Sequence, residues 1–129
     1  LDRFVERRRA IARRYNAAFA DRKGLQVPVQ HPSADSSWHL YVLLWESGRD
    51  RAFEQLRARN IGVHVHYIPV YRQPYYRRLG YDGQHCPQAE DYYRQAMTLP
   101  LYPGMSDEDV EDVVHAVREV AREIVKDRQ

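Results

Sequence analysis

Residues 62–76 read Gly-Val-His-Val-His-Tyr-Ile-Pro-Val-Tyr-Arg-Gln-Pro-Tyr-Tyr, and the rest of the chain is interpreted around them. The first part alternates as a strand does, because successive side chains of a strand point to opposite faces. The apolar members are Ile61, Val63, Val65 and Tyr67, and the polar members are His64 and His66. Pro69 ends strand pairing because it has no N–H to donate. The stretch therefore predicts a strand that leads into an aromatic, hydrogen-bonding loop suited to binding.

The composition is typical of one globular domain. The 129 residues can form a core, and 43% hydrophobic with 29% charged residues is ordinary. A net charge of +2 is too small to indicate nucleic-acid binding. No apolar run reaches membrane-spanning length and no signal-peptide pattern is found. The single cysteine, Cys86, fits a reducing compartment. We therefore expect a cytoplasmic protein with neither a nucleic-acid nor a membrane partner.

Strands and helices alternate in an order that predicts an α+β domain. We expect helices over residues 1–20, 50–59, 74–79, 87–97 and 107–128, and strands over 25–29, 38–45, 61–67 and 98–101. Residues 38–45 should form a central strand covered on both sides, with Trp38, Leu40, Val42 and Leu44 on its apolar face. Asn60 and Gly80 are predicted helix stops, and Asp82-Gly83 a turn. In residues 87–97 the inward positions should be Ala89, Tyr92, Tyr93 and Ala96.

The two long helices differ in how clearly they begin. Ser106 is a good N-cap for the last helix, which carries a buried stripe running from Val110 to Ile124. The first helix has an apolar stripe of Phe4, Ile11, Tyr15, Ala18 and Phe19. Yet Arg3 and residues 7–9, all arginine, crowd its start, where the helix dipole disfavours cations. We interpret this as a helix that began upstream, in a chain that is a fragment; the alternative is a solvated basic face.

Three kinds of chemistry are weighed against simpler explanations. His64 and His66 have a metal-ligand spacing, with His39, His85 or Cys86 as a third ligand, but two polar residues on a cleft-facing strand are the better explanation. Cys86 beside His85 is better explained as a partly buried structural thiol than as a nucleophile. Arg72, Arg77 and Arg78 suit a phosphate group as well as they suit solvated helix charge. Of the tyrosines at 67, 71, 75, 76 and 81, about half should be core residues.

Four separated blocks resemble the C-terminal part of the DegT/StrS family of sugar aminotransferases. They are WHLYVLL (38–44), HVHYIPVYRQPYY (64–76), PQAE (87–90) and LPLYPGMSDE (99–108). They look most like enzymes that aminate UDP-4-keto-6-deoxy-N-acetylhexosamines, including spore-coat polysaccharide biosynthesis proteins. The resemblance covers nearly the whole chain in the correct order. Members of the family often have His where this chain has Tyr71, and Phe where it has Cys86.

The resemblance implies a pyridoxal-phosphate-dependent homodimer of the fold type I architecture. Residues 1–129 would be its C-terminal small domain, with a small antiparallel sheet of about three strands packed with helices. Residues 1–22 would be the incoming interdomain helix. The large domain, with the cofactor and the Schiff-base lysine, is expected upstream, and Lys23 and Lys126 lie outside the matched blocks. No catalytic, cofactor-binding or metal residue is therefore assigned here, and the chain alone should be inactive.

What the resemblance leaves to this chain is substrate recognition. The sugar nucleotide should meet the strand-to-loop segment, with His66, Tyr67 and Tyr71 foremost and His64, Gln73 and Tyr75 beside them. The amino donor would be glutamate and the acceptor a nucleotide-linked 4-keto-6-deoxy sugar for surface polysaccharide. The alternative is a non-enzymatic α+β binding module that uses the tyrosine-rich loop 67–76. A coding sequence that continues upstream into a lysine-bearing domain would favour the enzyme.

Overall fold

The computed structural model describes residues 1–81 and 86–127, which form an α+β domain. The helices are α1 (Asp2–Phe19), α2 (Arg49–Ala58), α3 (Pro74–Arg78), α4 (Pro87–Gln95) and α5 (Asp107–Lys126), with a 3-10 turn at Val70–Arg72. The strands are β1 (Leu25–Gln26), β2 (Tyr41–Trp45) and β3 (Ala96–Leu99). The predicted turn at Asp82-Gly83, and His85, lie outside the described residues. None of the helices in the described ranges is long and apolar enough to cross a membrane.

The sheet is antiparallel in the order β1-β2-β3, so β2 is central as predicted. The buried face is the opposite of the expected one. Tyr41, Leu43 and Trp45 are at most 1% exposed, whereas Val42 and Leu44 are only half-buried. Tyrosine can occupy the core side because the Tyr41 hydroxyl donates to Asn16 Oδ1 at 2.7 Å. The prediction was wrong because it placed Tyr41 on the less apolar face on account of its hydroxyl. It did not allow for a hydrogen-bond partner of that hydroxyl inside the fold.

The strand begins at Tyr41 and not at Trp38. Trp38 has φ of 51°, in the left-handed region, which extended pairing cannot include. The edge strand β1 is likewise shorter than the predicted 25–29, although its edge position is confirmed.

The core joins one face of the sheet to α1, α2 and α5. In α5 the predicted stripe is confirmed, since Val110, Val117 and Val120 are fully buried and Ile124 is 7% exposed. Ser106 caps this helix as predicted: its Oγ accepts from Asp109 N at 3.0 Å, and its own N–H donates to Asp109 Oδ2 at 2.7 Å. The bonds that the Ser106 N–H and hydroxyl donate to Asp109 Oδ2, at 2.7 and 2.8 Å, lower the pKa of Asp109. Valine is a mediocre helix former, so burial and capping stabilise this helix more than propensity does.

Two turns around α2 depend on left-handed backbone. Asn60 ends the region with φ of 61°, as predicted. Gly48 precedes the helix with φ of 68°, and a Cβ there would lie 2.9 Å from Ile124 Cγ2 on α5. Glycine is therefore required at this position by conformation and by space. Leu56 is buried as expected, and Phe53 is half-buried.

The basic start of α1 is explained by contacts within the fold. Arg7 donates to Met105 O at 2.6 Å and pairs with Asp107 at 2.9 Å, which lowers the pKa of that carboxyl. Arg8 Nη1 lies 3.1 Å from the carbonyls of Trp38, His39 and Leu101. These half-buried arginines are therefore not a solvated face. Phe4, predicted to be inward, is 55% exposed.

Residues 61–67 do not form the predicted strand. Only His64 pairs, with Thr98 of β3, through N–O distances of 3.1 and 2.8 Å. The next pairing position on one side falls at Pro100, which has no N–H. On the other side the N–H of Ala96 is already donated to Tyr92 O, at the end of α4. Pairing is therefore limited to a single bridge.

Helix α4 also differs from its prediction. None of its residues is buried: Ala89 and Tyr92 are exposed and Tyr93 is half-buried, while Ala96 is buried only as part of β3. The helix is short and polar, and it lies against β2 at the edge of the core.

Candidate functional site

A groove of about 490 Å³ opens beside the single bridge between His64 and β3. We call it the histidine groove, and its polar lining includes His39, His64, His66, Thr98, Tyr102 and Asp109. The bridge places His64 and His66 on the same side of the chain, with ring centroids 5.7 Å apart. The predicted alternation is thus kept for the two histidines although the strand is not formed. Val63 points into the core, whereas Tyr67 is 74% exposed and not on an inward face.

His66 has a fixed orientation. Its Nδ1 lies 2.9 Å from Oγ1 of Thr98, a residue only 5% exposed. Because Nδ1 is engaged, Nε2 is the nitrogen through which the ring can contact a ligand. The Tyr67 ring packs edge-on against the imidazole at 4.8 Å. The site therefore offers one oriented imidazole nitrogen next to an exposed phenol.

The residues that follow form an exposed aromatic surface, which we call the tyrosine segment (residues 67–81). Tyr67, Tyr75 and Tyr81 are 74%, 60% and 59% exposed, and Tyr76 is 39% exposed. Tyr71 is half-buried. The expectation that about half of these five tyrosines lie in the core is wrong. With few strand or helix partners near them, their rings pack mainly on each other, as in the Tyr75–Tyr76 and Tyr76–Tyr81 edge contacts.

Tyr71 faces the start of α4. Its hydroxyl lies 3.5 Å from Cys86 O, at the long limit of a hydrogen bond. Partial burial, followed by the neighbouring Glu90 carboxylate, raises the pKa of Tyr71. The phenol is therefore protonated at neutral pH.

The structure brings together only part of the predicted substrate set. His64 and His66 line the histidine groove, and Tyr67 contacts His66 from its rim. Tyr71, Gln73 and Tyr75 follow along the tyrosine segment and do not line the groove. Gln73 is exposed and serves as the N-cap residue of α3 without a side-chain capping bond.

The structure tests the metal site, the thiol and the phosphate site that were considered from the sequence. Within residues 1–81 and 86–127, no group of three His, Cys, Asp or Glu side chains could hold a metal ion. Cys86 is exposed, so the expected partly buried thiol is wrong. Arg72 is paired with Glu90, which removes it from the predicted phosphate cluster, while Arg77 and Arg78 remain exposed in the last turn of α3.

A cofactor held through a lysine does not fit the described site. The groove has no lysine among the described residues that line it. Lys23 lies beside Gly24 and Val125, in the turn after α1, and Lys126 ends α5. Neither lysine lines the histidine groove.

Sequence reasoning missed two residues of this region. Thr98 orients His66, and the only signal for it was a hydroxyl within an otherwise apolar strand, Ala-Met-Thr-Leu. Glu90 holds Arg72 and lies near Tyr71. Its distance of eighteen residues from Arg72 leaves no local pattern that could reveal the pair.

Comparison with known proteins agrees with the family resemblance. The profile of the DegT/DnrJ/EryC1/StrS aminotransferase family matches residues 1–118. The chain belongs to this family of sugar aminotransferases.

Two curated relatives match almost all of the chain. The spore coat polysaccharide biosynthesis protein SpsC of Bacillus subtilis is 42% identical over 129 residues, which is 95% of this chain and 33% of SpsC. The dTDP-3-amino-3,4,6-trideoxy-alpha-D-glucose transaminase of Streptomyces venezuelae is 34% identical over 125 residues, 96% of this chain and 33% of that enzyme. The chain therefore spans about a third of the length of these relatives.

A solved structure extends the likeness to three dimensions. The PMP form of Spr1654 from Streptococcus pneumoniae superposes with a TM-score of 0.89 at 27% identity, over 95% of this chain and 32% of that one. The mixed arrangement of helices around a three-stranded antiparallel sheet is thus similar to the matching part of Spr1654, which is described as a sugar aminotransferase.

Proposed function

We propose that this chain is the C-terminal small domain of a pyridoxal-phosphate-dependent aminotransferase acting on a nucleotide-linked 4-keto-6-deoxy sugar. The amino group would come from glutamate, and the product would enter surface-polysaccharide synthesis. The observation that carries the proposal is the family match over residues 1–118. The relatives named for spore coat polysaccharide and for a dTDP-amino-sugar transaminase support the substrate class.

The proposed role of this chain is to bind and orient the sugar nucleotide. His66 would contact a sugar oxygen through Nε2, because Thr98 holds Nδ1. Exposed rings such as Tyr67 and Tyr75 provide surfaces on which a base or sugar face can stack. Tyr71 and Gln73 add donors and acceptors along the same segment, and His64 adds them in the histidine groove. Substrate binding is the role that we propose for these groups.

Other parts of the proposal concern the longer protein. Pyridoxal phosphate, which supplies the carrier for the amino group, would be bound through a lysine outside the described residues. Residues 1–22 would lead in from a large domain of the fold type I architecture, and two such proteins would form a homodimer. We place this enzyme in the cytoplasm, where nucleotide sugars are made. The 129 residues alone should be inactive.

The experiment compares the full-length protein with the 129-residue chain. We expect cofactor absorbance and glutamate-dependent amination of a UDP-4-keto-6-deoxy-N-acetylhexosamine only in the full-length protein. His66→Ala should lower kcat/KM on the order of tenfold or more, because it removes the oriented imidazole. The control is His115→Ala, an exposed histidine on α5 that pairs with Glu119. A full-length protein without cofactor absorbance, or equal kinetics for the two variants, would contradict the proposal.

A second candidate is a binding module that uses loop 67–76 without catalysis. The exposure of Tyr67, Val70 and Tyr75 favours it, since large apolar side chains cluster on the surface at such sites. It would be supported if the full-length protein bound a sugar nucleotide without converting it when glutamate and pyridoxal phosphate were supplied. Turnover under those conditions would exclude it.

A further inference from the structure

The tyrosine segment has few secondary-structure partners, yet one of its side chains is firmly held. Arg72 Nε donates to Glu90 Oε1 at 2.9 Å, and Arg72 Nη2 pairs with Glu90 Oε2. This is a bidentate arginine–carboxylate pair, the geometry that fixes both groups most strictly. It joins the 3-10 turn of the segment to α4, eighteen residues further along the chain.

The pair belongs to a larger cluster. The guanidinium carbons of Arg72 and Arg49 lie 5.4 and 5.5 Å from the centroid of the Tyr93 ring. Arg49 also donates to the carbonyl oxygens of Tyr93 and Arg94, each at 3.2 Å. Its side chain is only 12% exposed. The start of α2, the end of α4 and the 3-10 turn therefore meet at one tyrosine ring, with a cation–π contact from each arginine.

We infer that the Arg72–Glu90 pair is a positioning device that sets the tyrosine segment for binding of the sugar nucleotide. The inference rests on the proposed function. Tyr71 immediately precedes the held arginine, and Gln73 and Tyr75 follow within three residues. The backbone between them is held by few bonds, among them Arg72 N to Pro69 O at 2.9 Å and Gln73 N to Val70 O at 3.0 Å. Loss of the side-chain clamp would release this turn.

A second ion pair, which does not hold the tyrosine segment, provides a control for the Arg72–Glu90 pair. Arg94 and Asp91 pair within α4 at spacing i,i+3, and their side chains are 73% and 57% exposed. The corresponding values for Arg72 and Glu90 are 36% and 23%. An exposed pair within one helix contributes little to structure. Asp91→Asn is therefore the control for Glu90→Gln: the same charge is lost from the next residue of the same helix.

The kinetic test uses the full-length enzyme. Because Arg72 and Glu90 hold the segment and do not line the histidine groove, Glu90→Gln should raise KM for the keto sugar nucleotide about tenfold and leave kcat within about twofold. Arg72→Lys keeps the charge but cannot form two parallel bonds, so its KM should rise as well. KM for glutamate should stay unchanged in both variants. Asp91→Asn should behave as the parent enzyme.

A structural readout is measured on the same proteins without substrate. Amide hydrogen exchange of residues 70–73 should be faster in Glu90→Gln than in the parent, and unchanged in Asp91→Asn. Unchanged exchange in Glu90→Gln would overturn the inference, and so would faster exchange with an unaltered KM. If the full-length parent aminates no keto sugar, the proposed function fails. The exchange comparison then still decides whether the pair orders the segment.

Discussion

The packed core and the tyrosine segment use the same residue type in opposite ways. Tyr15 and Tyr41 are fully buried, and their hydroxyls donate to Pro100 O at 2.8 Å and Asn16 Oδ1 at 2.7 Å. Tyr67 and Tyr75 are mostly exposed. A phenol is stable in the core where its polar tip has a partner, and it is useful on the surface where its ring and hydroxyl can meet a ligand. Location, and not residue type, separates stability from recognition here.

The core and the tyrosine segment should differ most in the free energy of unfolding that is lost when an apolar side chain is truncated. Leu43→Ala removes a fully buried side chain of the central strand and should lower the free energy of unfolding by about 2–5 kcal/mol. Val70→Ala, at a position that is 63% exposed, should change it by less than about 0.5 kcal/mol. Urea denaturation measures both. Similar losses at the two positions would remove the distinction between core and segment.

A smaller effect is expected from one buried hydroxyl. Tyr15→Phe leaves the Pro100 carbonyl without its donor and should cost about 1–3 kcal/mol of unfolding free energy. Tyr67→Phe, which removes a hydroxyl from an exposed ring, should be neutral to stability. Thermal or urea unfolding of the two variants makes the comparison, and an equal loss in Tyr67→Phe would count against it.

The free energy of unfolding at alkaline pH gives a second test of the buried Tyr15 hydroxyl. Burial raises the pKa of Tyr15, and desolvation does the same for Tyr41. Above about pH 10 the unfolded chain loses these protons while the folded protein keeps them. The contribution of these two tyrosines to the free energy of unfolding should therefore be constant below that pH and fall above it. The fall should be less steep in Tyr15→Phe; an identical pH profile would show that Tyr15 is not protected.

Capping of α5 should contribute about 1 kcal/mol. Ser106→Ala removes the side-chain acceptor for Asp109 N and should lower the free energy of unfolding by about 0.5–2 kcal/mol. Ser37→Ala, at an exposed loop position, is the matched control and should have no measurable effect. If Ser106→Ala also left the free energy of unfolding unchanged, the stability of α5 would have to come from its valine stripe alone.

The smallest stability effect should accompany a large functional one. Tyr75→Ala truncates a ring that is 60% exposed, so unfolding should change by less than about 0.5 kcal/mol. In the full-length enzyme the same substitution should raise KM for the sugar nucleotide several-fold, because a stacking surface is lost. Denaturation and steady-state kinetics on one preparation separate the two effects. Parallel losses of stability and affinity would mean that the segment belongs to the folding core.

The sequence predicted those parts of the fold that local pattern controls. The cap at Ser106, the stripe from Val110 to Ile124 and the left-handed turn at Asn60 are each encoded within a few residues. The face of β2 was predicted wrongly because Tyr41 is buried through a bond to Asn16, a partner on another element. The strand over 61–67 was overpredicted because Ala96, at the start of the partner strand, and Pro100, just after its end, limit its pairing.

Only the exposed residues of the candidate site could be predicted from the sequence. The alternation of His64 and His66 and the run of tyrosines are visible in the sequence, and the structure places the two histidines in one groove. What orients them is not local: Thr98 lies thirty-two residues from His66. Contacts that bridge such separations depend on tertiary packing, so neither periodicity nor spacing could indicate them.

The glycine before α2 links two elements that are far apart in sequence. Since any side chain at position 48 would meet Ile124 and would also require a left-handed backbone, position 48 constrains what α5 can carry near its end. A swap of α5 between family members should therefore succeed only when the incoming helix leaves room for the same tight turn. In chimaeras, the junction to match is thus the approach of the β2–α2 turn to α5.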